Sequence, residues 1–235
     1  MKGTLFGVGV GPGDPDLMTY KAVETIEKCQ VIAVPAKGKE YAVSYQIASG
    51  KVENIGEKEY INLATPMTKD RQVLEESYEK AAEEIIIELE KGKDVAYLTL
   101  GDPTVYSTYM YIHRIVREKG YPAVIINGIP SFCAASARLG ESLADRSGQL
   151  HIIPSSYAIE EALEYPGTKV LMKAASKLGE VKKVLTQRCR TAEVKMVENC
   201  GMPEEQIYIG TGKIPETAGY YTLLIIKDHD IDETE

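Results

Sequence analysis

Apolar and polar positions along the chain alternate between two periods. Thr4 to Val10 is small, β-branched and apolar, runs into Gly11 to Pro15, and is followed by Leu17, Tyr20, Val23 and Ile26 at helical spacing, so strand, loop and helix are predicted in turn. Val31 to Val34 reads as a second buried strand stopped by Pro35, and Glu59 to Leu63 as a third. Asp70 opens a long helix to about Lys91, with Leu74, Tyr78, Ala81, Ile85 and Leu89 on one face and mostly glutamate on the other. Asp94 to Leu100 is a further strand, ending in Gly101, Asp102 and Pro103, and a helix is expected from about Val105 to Lys119. Strands alternating with helices predict a mainly parallel sheet covered on both faces, whose ligand crevice lies at the carboxyl ends of the strands.

After Gly120 the pattern restarts. Ala123 to Ile126 is a strand, Gly128 to Ser131 a loop, and Cys133 to Leu139 a helix of small residues. Strands follow at 149–153, 169–172, 192–197, 207–211 and 220–226, with helices at about 158–163 and 178–188. The last strands are too close in sequence for parallel crossovers, so hairpins and a mixed sheet are expected. The sequence therefore predicts two α/β domains, residues 1–120 and 121–235, divided at the Gly/Pro break near Lys119 to Pro122.

Composition narrows the function classes. The 235 residues hold 35 acidic and 27 basic side chains, a net charge of −8, which argues against general nucleic-acid binding. No apolar run reaches the roughly 20 residues needed to span a bilayer, and Met1 to Asp14 turns glycine-rich before a signal peptide's apolar stretch is complete, so a cytoplasmic protein is expected. Cys29, Cys133, Cys189 and Cys200 show no paired spacing and no nearby histidine, so no metal site or disulfide framework is suggested.

Three loops carry candidate chemistry. Gly7, Gly9, Gly11 and Gly13 follow a strand, but a dinucleotide fingerprint needs glycine at its sixth position, which is Pro12 counting from Gly7 and Asp14 counting from Gly9. The acidic residue expected after the second strand is also missing, since Pro35, Ala36 and Lys37 stand there. The first loop therefore suits either a close ligand approach or a structural turn with Asp16 as helix cap. Gly101-Asp102-Pro103-Thr104 could hold a carboxylate beside a bound molecule or form a turn in which Asp102 caps the next helix. Tyr106, Tyr109 and Tyr111 with Ser107 and Thr108 are an unusual choice for a plain core helix and could form a hydrogen-bonding wall for a flat ligand. Gly128-Ile129-Pro130-Ser131 and Lys173, at the end of a strand, are further candidates.

Taken in order, Gly7-Val8-Gly9-Val10-Gly11-Pro12-Gly13-Asp14-Pro15-Asp16-Leu17-Met18-Thr19, Gly101-Asp102-Pro103 and Gly128-Ile129-Pro130-Ser131-Phe132 resemble the tetrapyrrole methylase family over essentially the whole chain. Within it, the stretch Gly101 to Tyr111 and the strand Val170 to Lys173 look most like the branch that methylates C20 of precorrin-2 or cobalt-factor II. The resemblance implies two α/β domains with S-adenosylmethionine in the cleft between them, S-adenosylhomocysteine as product, a tetrapyrrole substrate and a homodimer. It also implies cofactor contacts at Pro12, Leu100, Gly101, Asp102, Val105, Pro130 and Ser131, with the Lys173 and Cys200 regions lining the other side. Leu100 and Thr104 stand where uroporphyrinogen methylases usually carry glycine and phenylalanine. Pro130 replaces a frequent Ser or Thr, and Lys173 a frequent methionine.

Methyl transfer to carbon is an in-line displacement that demands alignment and a dry site rather than a nucleophilic side chain. A proton must then leave, and Asp102 is the motif-anchored candidate for the base or an orienting group, with Tyr106 and Tyr109 as substrate-packing candidates. Arg114, Arg117, Arg138 and Arg146 are the guanidinium groups expected to meet substrate carboxylates. Glu75 to Glu90 carries −6 and Lys227 to Glu235 carries −4, which leaves the rest of the chain at +2. The overall acidity is thus compatible with a polycarboxylate substrate.

Overall fold

The computed structural model describes residues 1–63, 65–66, 68–154, 157–188 and 192–228. Cys189 and the acidic tail beyond Asp228 lie outside the described residues. The chain divides into two compact units, Met1–Ser131 and Phe132–Glu235.

The first unit contains strands β1 (Leu5–Gly9), β2 (Val31–Val34), β3 (Glu59–Asn62), β4 (Val95–Thr99) and β5 (Ala123–Ile126). They form one sheet in the order β3-β2-β4-β1-β5, and each pairing is parallel. Helices α1 (Tyr20–Lys28), α2 (Val43–Ser49), α3 (Arg71–Glu90) and α4 (Tyr109–Glu118) make the crossovers. Period-two alternation along β4 sends Ala96 and Leu98 into the core under α1 and α2, with Val8, Ile26, Ile32 and Ile47. Val95 and Tyr97 point the other way, into the core under α3 and α4, with Leu5, Ile85, Leu89, Tyr109, Ile112 and Val116. Both sheet faces are thereby covered, as an all-parallel sheet requires.

Because β4 lies between β1 and β2, the crossover after β1 and the one after β4 leave the centre of the sheet in different directions. Ligand crevices of open parallel sheets form at such a reversal.

The second unit contains β6 (Leu150–Pro154), β7 (Thr168–Met172), β8 (Glu193–Glu198), β9 (Gln206–Ile209) and β10 (Thr222–Lys227), ordered β6-β7-β10-β8-β9. β6 and β7 are parallel and the other pairings antiparallel, so the expected mixed sheet is present. Helices α5 (Ser131–Leu139), α6 (Ile159–Ala162) and α7 (Leu178–Arg188) accompany it. Leu171, Leu178, Val181, Leu185, Met196, Leu224 and Ile226 are central to its core. Buried Lys169 is held by the Asp228 carboxylate at 2.5 Å and the Tyr165 carbonyl at 3.0 Å, which satisfies a charge that would otherwise be costly to bury.

Two expectations change. The boundary expected at 120/121 falls after Ser131, because β5 pairs in parallel with β1 and so completes the first sheet. The helix expected from Val105 begins at Tyr109; Tyr106 takes a left-handed backbone conformation with φ 47°, which is incompatible with a continuous helix. No helix among the described residues is long and apolar enough to cross a membrane.

Gly7 has a packing role rather than a loop role. A Cβ there would run into the Tyr109 ring, which fills the space above β1. Gly7→Ala should therefore cost about 1–3 kcal/mol by overpacking, read as a lowered urea midpoint with an unchanged m-value. A midpoint equal to that of the wild type would contradict this packing.

Candidate functional site

Three loops follow the carboxyl ends of β1, β4 and β5, and their backbones meet. Gly11 and Gly101 exchange backbone hydrogen bonds, with Gly11 donating to the Gly101 carbonyl at 3.3 Å and Gly101 to the Gly11 carbonyl at 2.8 Å. Both are left-handed, φ 81° and 72°, conformations that favour glycine. A Cβ on Gly9 would lie 2.5 Å from the Gly128 nitrogen and 2.6 Å from the Gly101 oxygen, and one on Gly128 would also strike that oxygen. Side chains are excluded from this junction by contact.

Asp102 fastens it. The buried carboxylate accepts from the Thr104 amide at 2.7 Å and from the Thr104 hydroxyl through one oxygen. Through the other it accepts from Asn127 Nδ2 at 3.1 Å and the Gly128 amide at 3.0 Å. The Asn127 backbone carbonyl in turn accepts from the Thr19 hydroxyl at 3.3 Å, so the first loop joins the same network. Burial pushes Asp102 up, but the Thr104, Asn127 and Gly128 donors together outweigh it and hold the carboxyl below its ordinary value. A carboxylate with four donors and a depressed pKa is a poor proton acceptor and a good clamp.

The other residues singled out by sequence fall into distinct groups. Pro12, Gly101 and Asp102 are buried at the junction, and Leu100, Val105, Pro130 and Ser131 are partly exposed around it. A Cβ on Gly101 would meet the Ile129 carbonyl, the Ser131 amide nitrogen and the Pro130 Cα only at 3.9–4.0 Å, so there is room beside this glycine. Tyr106 is exposed on the arch between Pro103 and Tyr109. Tyr109 is a correction: it is fully buried, its hydroxyl lies 2.9 Å from His113 Nδ1 and donates to the Val124 carbonyl at 3.2 Å, so it is core rather than a substrate wall. The first loop is capped by Asp14 and Thr19, not Asp16, which instead pairs with Lys51.

Arg114 lies on α4 in a groove beside α3, lined also by Tyr78 and Tyr111, whose rings stack at 4.9 Å. That helix-covered face is not the loop junction, so Arg114 is displaced from the expected substrate role. Within the second unit, Lys173 is exposed after β7 with φ 57°, and Cys200 is buried after β8, its thiol pushed up to about 11 by burial. Arg138 is exposed and pairs with Glu205 at 2.5 Å, which occupies the guanidinium in this structure. Among the described residues, no cluster of three or more His, Cys, Asp or Glu is placed to hold a metal ion.

Three residues of the junction, Thr104, Asn127 and Thr19, escaped the sequence reading as members of one network. The adjacency of Asn127 to Gly128 at the end of β5 was the available signal, but hydrogen bonds over such separations leave no periodic trace.

The sequence profile of the Tetrapyrrole (Corrin/Porphyrin) Methylases matches residues 4–215. The chain belongs to this family. It is 33% identical over 228 residues, 95% of each chain, to the probable cobalt-precorrin-2 C(20)-methyltransferase of Methanocaldococcus jannaschii. It is 28% identical over 95% of each chain to the precorrin-2 C(20)-methyltransferase of a Sinorhizobium species. The uroporphyrin-III C-methyl transferase of Thermus thermophilus, solved with S-adenosyl homocysteine, has the same fold, with a TM-score of 0.70 at 19% identity over 96% of this chain and 97% of that one. In this tetrapyrrole methylase the failed dinucleotide fingerprint has a physical reading: the glycines of the first loop serve backbone contact with two other loops.

The clamp predicts a defined pH dependence. Asp102→Ala leaves the Asn127 and Gly128 donors without their acceptor and should cost about 2–4 kcal/mol at pH 7. Since the folded pKa is depressed, the stabilisation from ionisation is present above the unfolded value and is lost as pH falls through the folded one. The gap between the urea midpoints of the two proteins should therefore begin to narrow below about pH 4. A pH-independent gap would contradict the clamp.

Proposed function

We propose that the protein is an S-adenosylmethionine-dependent C-methyltransferase of corrin biosynthesis that methylates C20 of cobalt-factor II or precorrin-2. The observation that carries this reading is the side-chain-free junction of three loops fastened by Asp102, in a chain whose C20-methylating relatives align over nearly its full length.

The residues of the junction fit the cofactor. The space beside Gly101 is lined by backbone carbonyl and amide groups, and the buried hydroxyl of Thr99, two residues earlier in the chain, has no hydrogen-bond partner among the described residues. Neutral backbone donors and acceptors suit an adenosyl amino acid, which carries no phosphate. When bound, the cofactor supplies an activated methyl group on a sulfonium. Pro12, Leu100, Gly101, Val105, Pro130 and Ser131 would hold it on the first unit.

Asp102 acts here as an orienting group. Its four donors fix the second and third loops against each other, so that alignment of the reactants is built into the backbone before they bind. The exposed Tyr106 ring is the nearer candidate for packing against the flat substrate, since Tyr109 is sealed in the core. The same reading includes a homodimer in the cytoplasm.

Incubating the protein with S-adenosylmethionine and either cobalt-factor II or metal-free precorrin-2 should add one methyl group at C20, located by NMR of the product. A methyl group at C11 or C17 would place the protein in another branch of the family. Cofactor binding without methylation of either tetrapyrrole would make it a binding module.

A further inference from the structure

Thr99 is the last residue of β4, directly before Leu100 and Gly101. Its side chain is buried at 7% exposure, and its Oγ1 has no hydrogen-bond partner among the described residues. A buried hydroxyl without a partner is destabilising, and valine would have the same shape without that cost. Parallel pairing sets Thr99 opposite Gly9 in register, so both face the same side of the sheet. That is the side on which the Gly128 amide and the Gly101 carbonyl crowd over Gly9. The unpartnered hydroxyl therefore stands beside the place where the three loops meet, on a strand whose other residues, Val95 to Leu98, are packed in the two cores.

We infer that Thr99 is a further cofactor-binding residue, whose hydroxyl is kept unpartnered by the protein in order to hydrogen-bond the adenosyl amino acid held at this junction. The inference rests on the proposed use of S-adenosylmethionine. It adds a side-chain contact from the strand itself to a site otherwise made of loop backbone, and it accounts for a polar residue at the end of an apolar strand.

Calorimetry with S-adenosylhomocysteine on the full chain tests it, using Thr99→Val and Thr99→Ser alongside thermal melts without ligand. The valine variant should bind about five- to ten-fold more weakly, and the serine variant within about two-fold of the wild type. The ligand-free valine variant should melt at or above the wild-type temperature, because it loses a polar group that the protein does not satisfy. Valine binding within about two-fold of the wild type would overturn the inference while leaving the proposed function intact. So would a serine variant as weak as valine, which would assign the effect to packing, or a clearly lower melting temperature for valine, which would mean that the hydroxyl is spent within the protein. A wild-type chain that fails to bind S-adenosylhomocysteine would remove the proposed function and this inference together.

Discussion

The close approach of Gly9, Gly101 and Gly128 is the constraint on which the rest of the site depends, because three strand ends can bring their backbones together only where no side chain stands between them. The all-parallel sheet delivers those ends side by side, since β1 lies between β4 and β5. Two left-handed glycines then turn the first and second loops into mutual hydrogen bonding. The consequence for chemistry is a surface of backbone donors and acceptors, rigid because it is part of the fold.

Asp102 converts that proximity into a fixed geometry. A carboxylate at this place in a sequence invites a role as a base, but its four donors and depressed pKa argue for a structural anion that joins Thr104 to Asn127 and Gly128. Transfer of a methyl group from an activated donor is limited by alignment, so a clamp serves it better than a proton acceptor would. The acidity of the chain belongs elsewhere. Glutamates of α3 are engaged in surface pairs such as Arg71 with Glu75 and Lys119 with Glu79, which contribute little to stability and leave the junction unaffected.

Much of the fold was legible because period and punctuation agree. Val31 to Val34, Ala123 to Ile126 and the capped helix after Asp70 appear where the pattern puts them. The start of α4 lies four residues later than the spacing suggests, because the left-handed backbone of Tyr106 interrupts the helix there, and side-chain periodicity carries no trace of a single such residue. Tyr109 looked like a ligand wall because sequence shows its hydroxyl but not His113 and the Val124 carbonyl that receive it. The short helix α2 went unread, since seven residues give too little periodicity to register. At the site, the three glycine loops were visible as motifs, whereas the Asn127 bridge and the unpartnered Thr99 hydroxyl emerge only when strands distant in sequence are set in register.

The central claim is that backbone proximity without side chains makes the cofactor site. Gly128→Ala tests it most directly, because the new methyl group would strike the Gly101 carbonyl and force the second and third loops apart. S-adenosylhomocysteine affinity should fall by at least about ten-fold, measured by calorimetry on a variant shown by circular dichroism to keep its secondary structure. Native affinity in that folded variant would contradict the account.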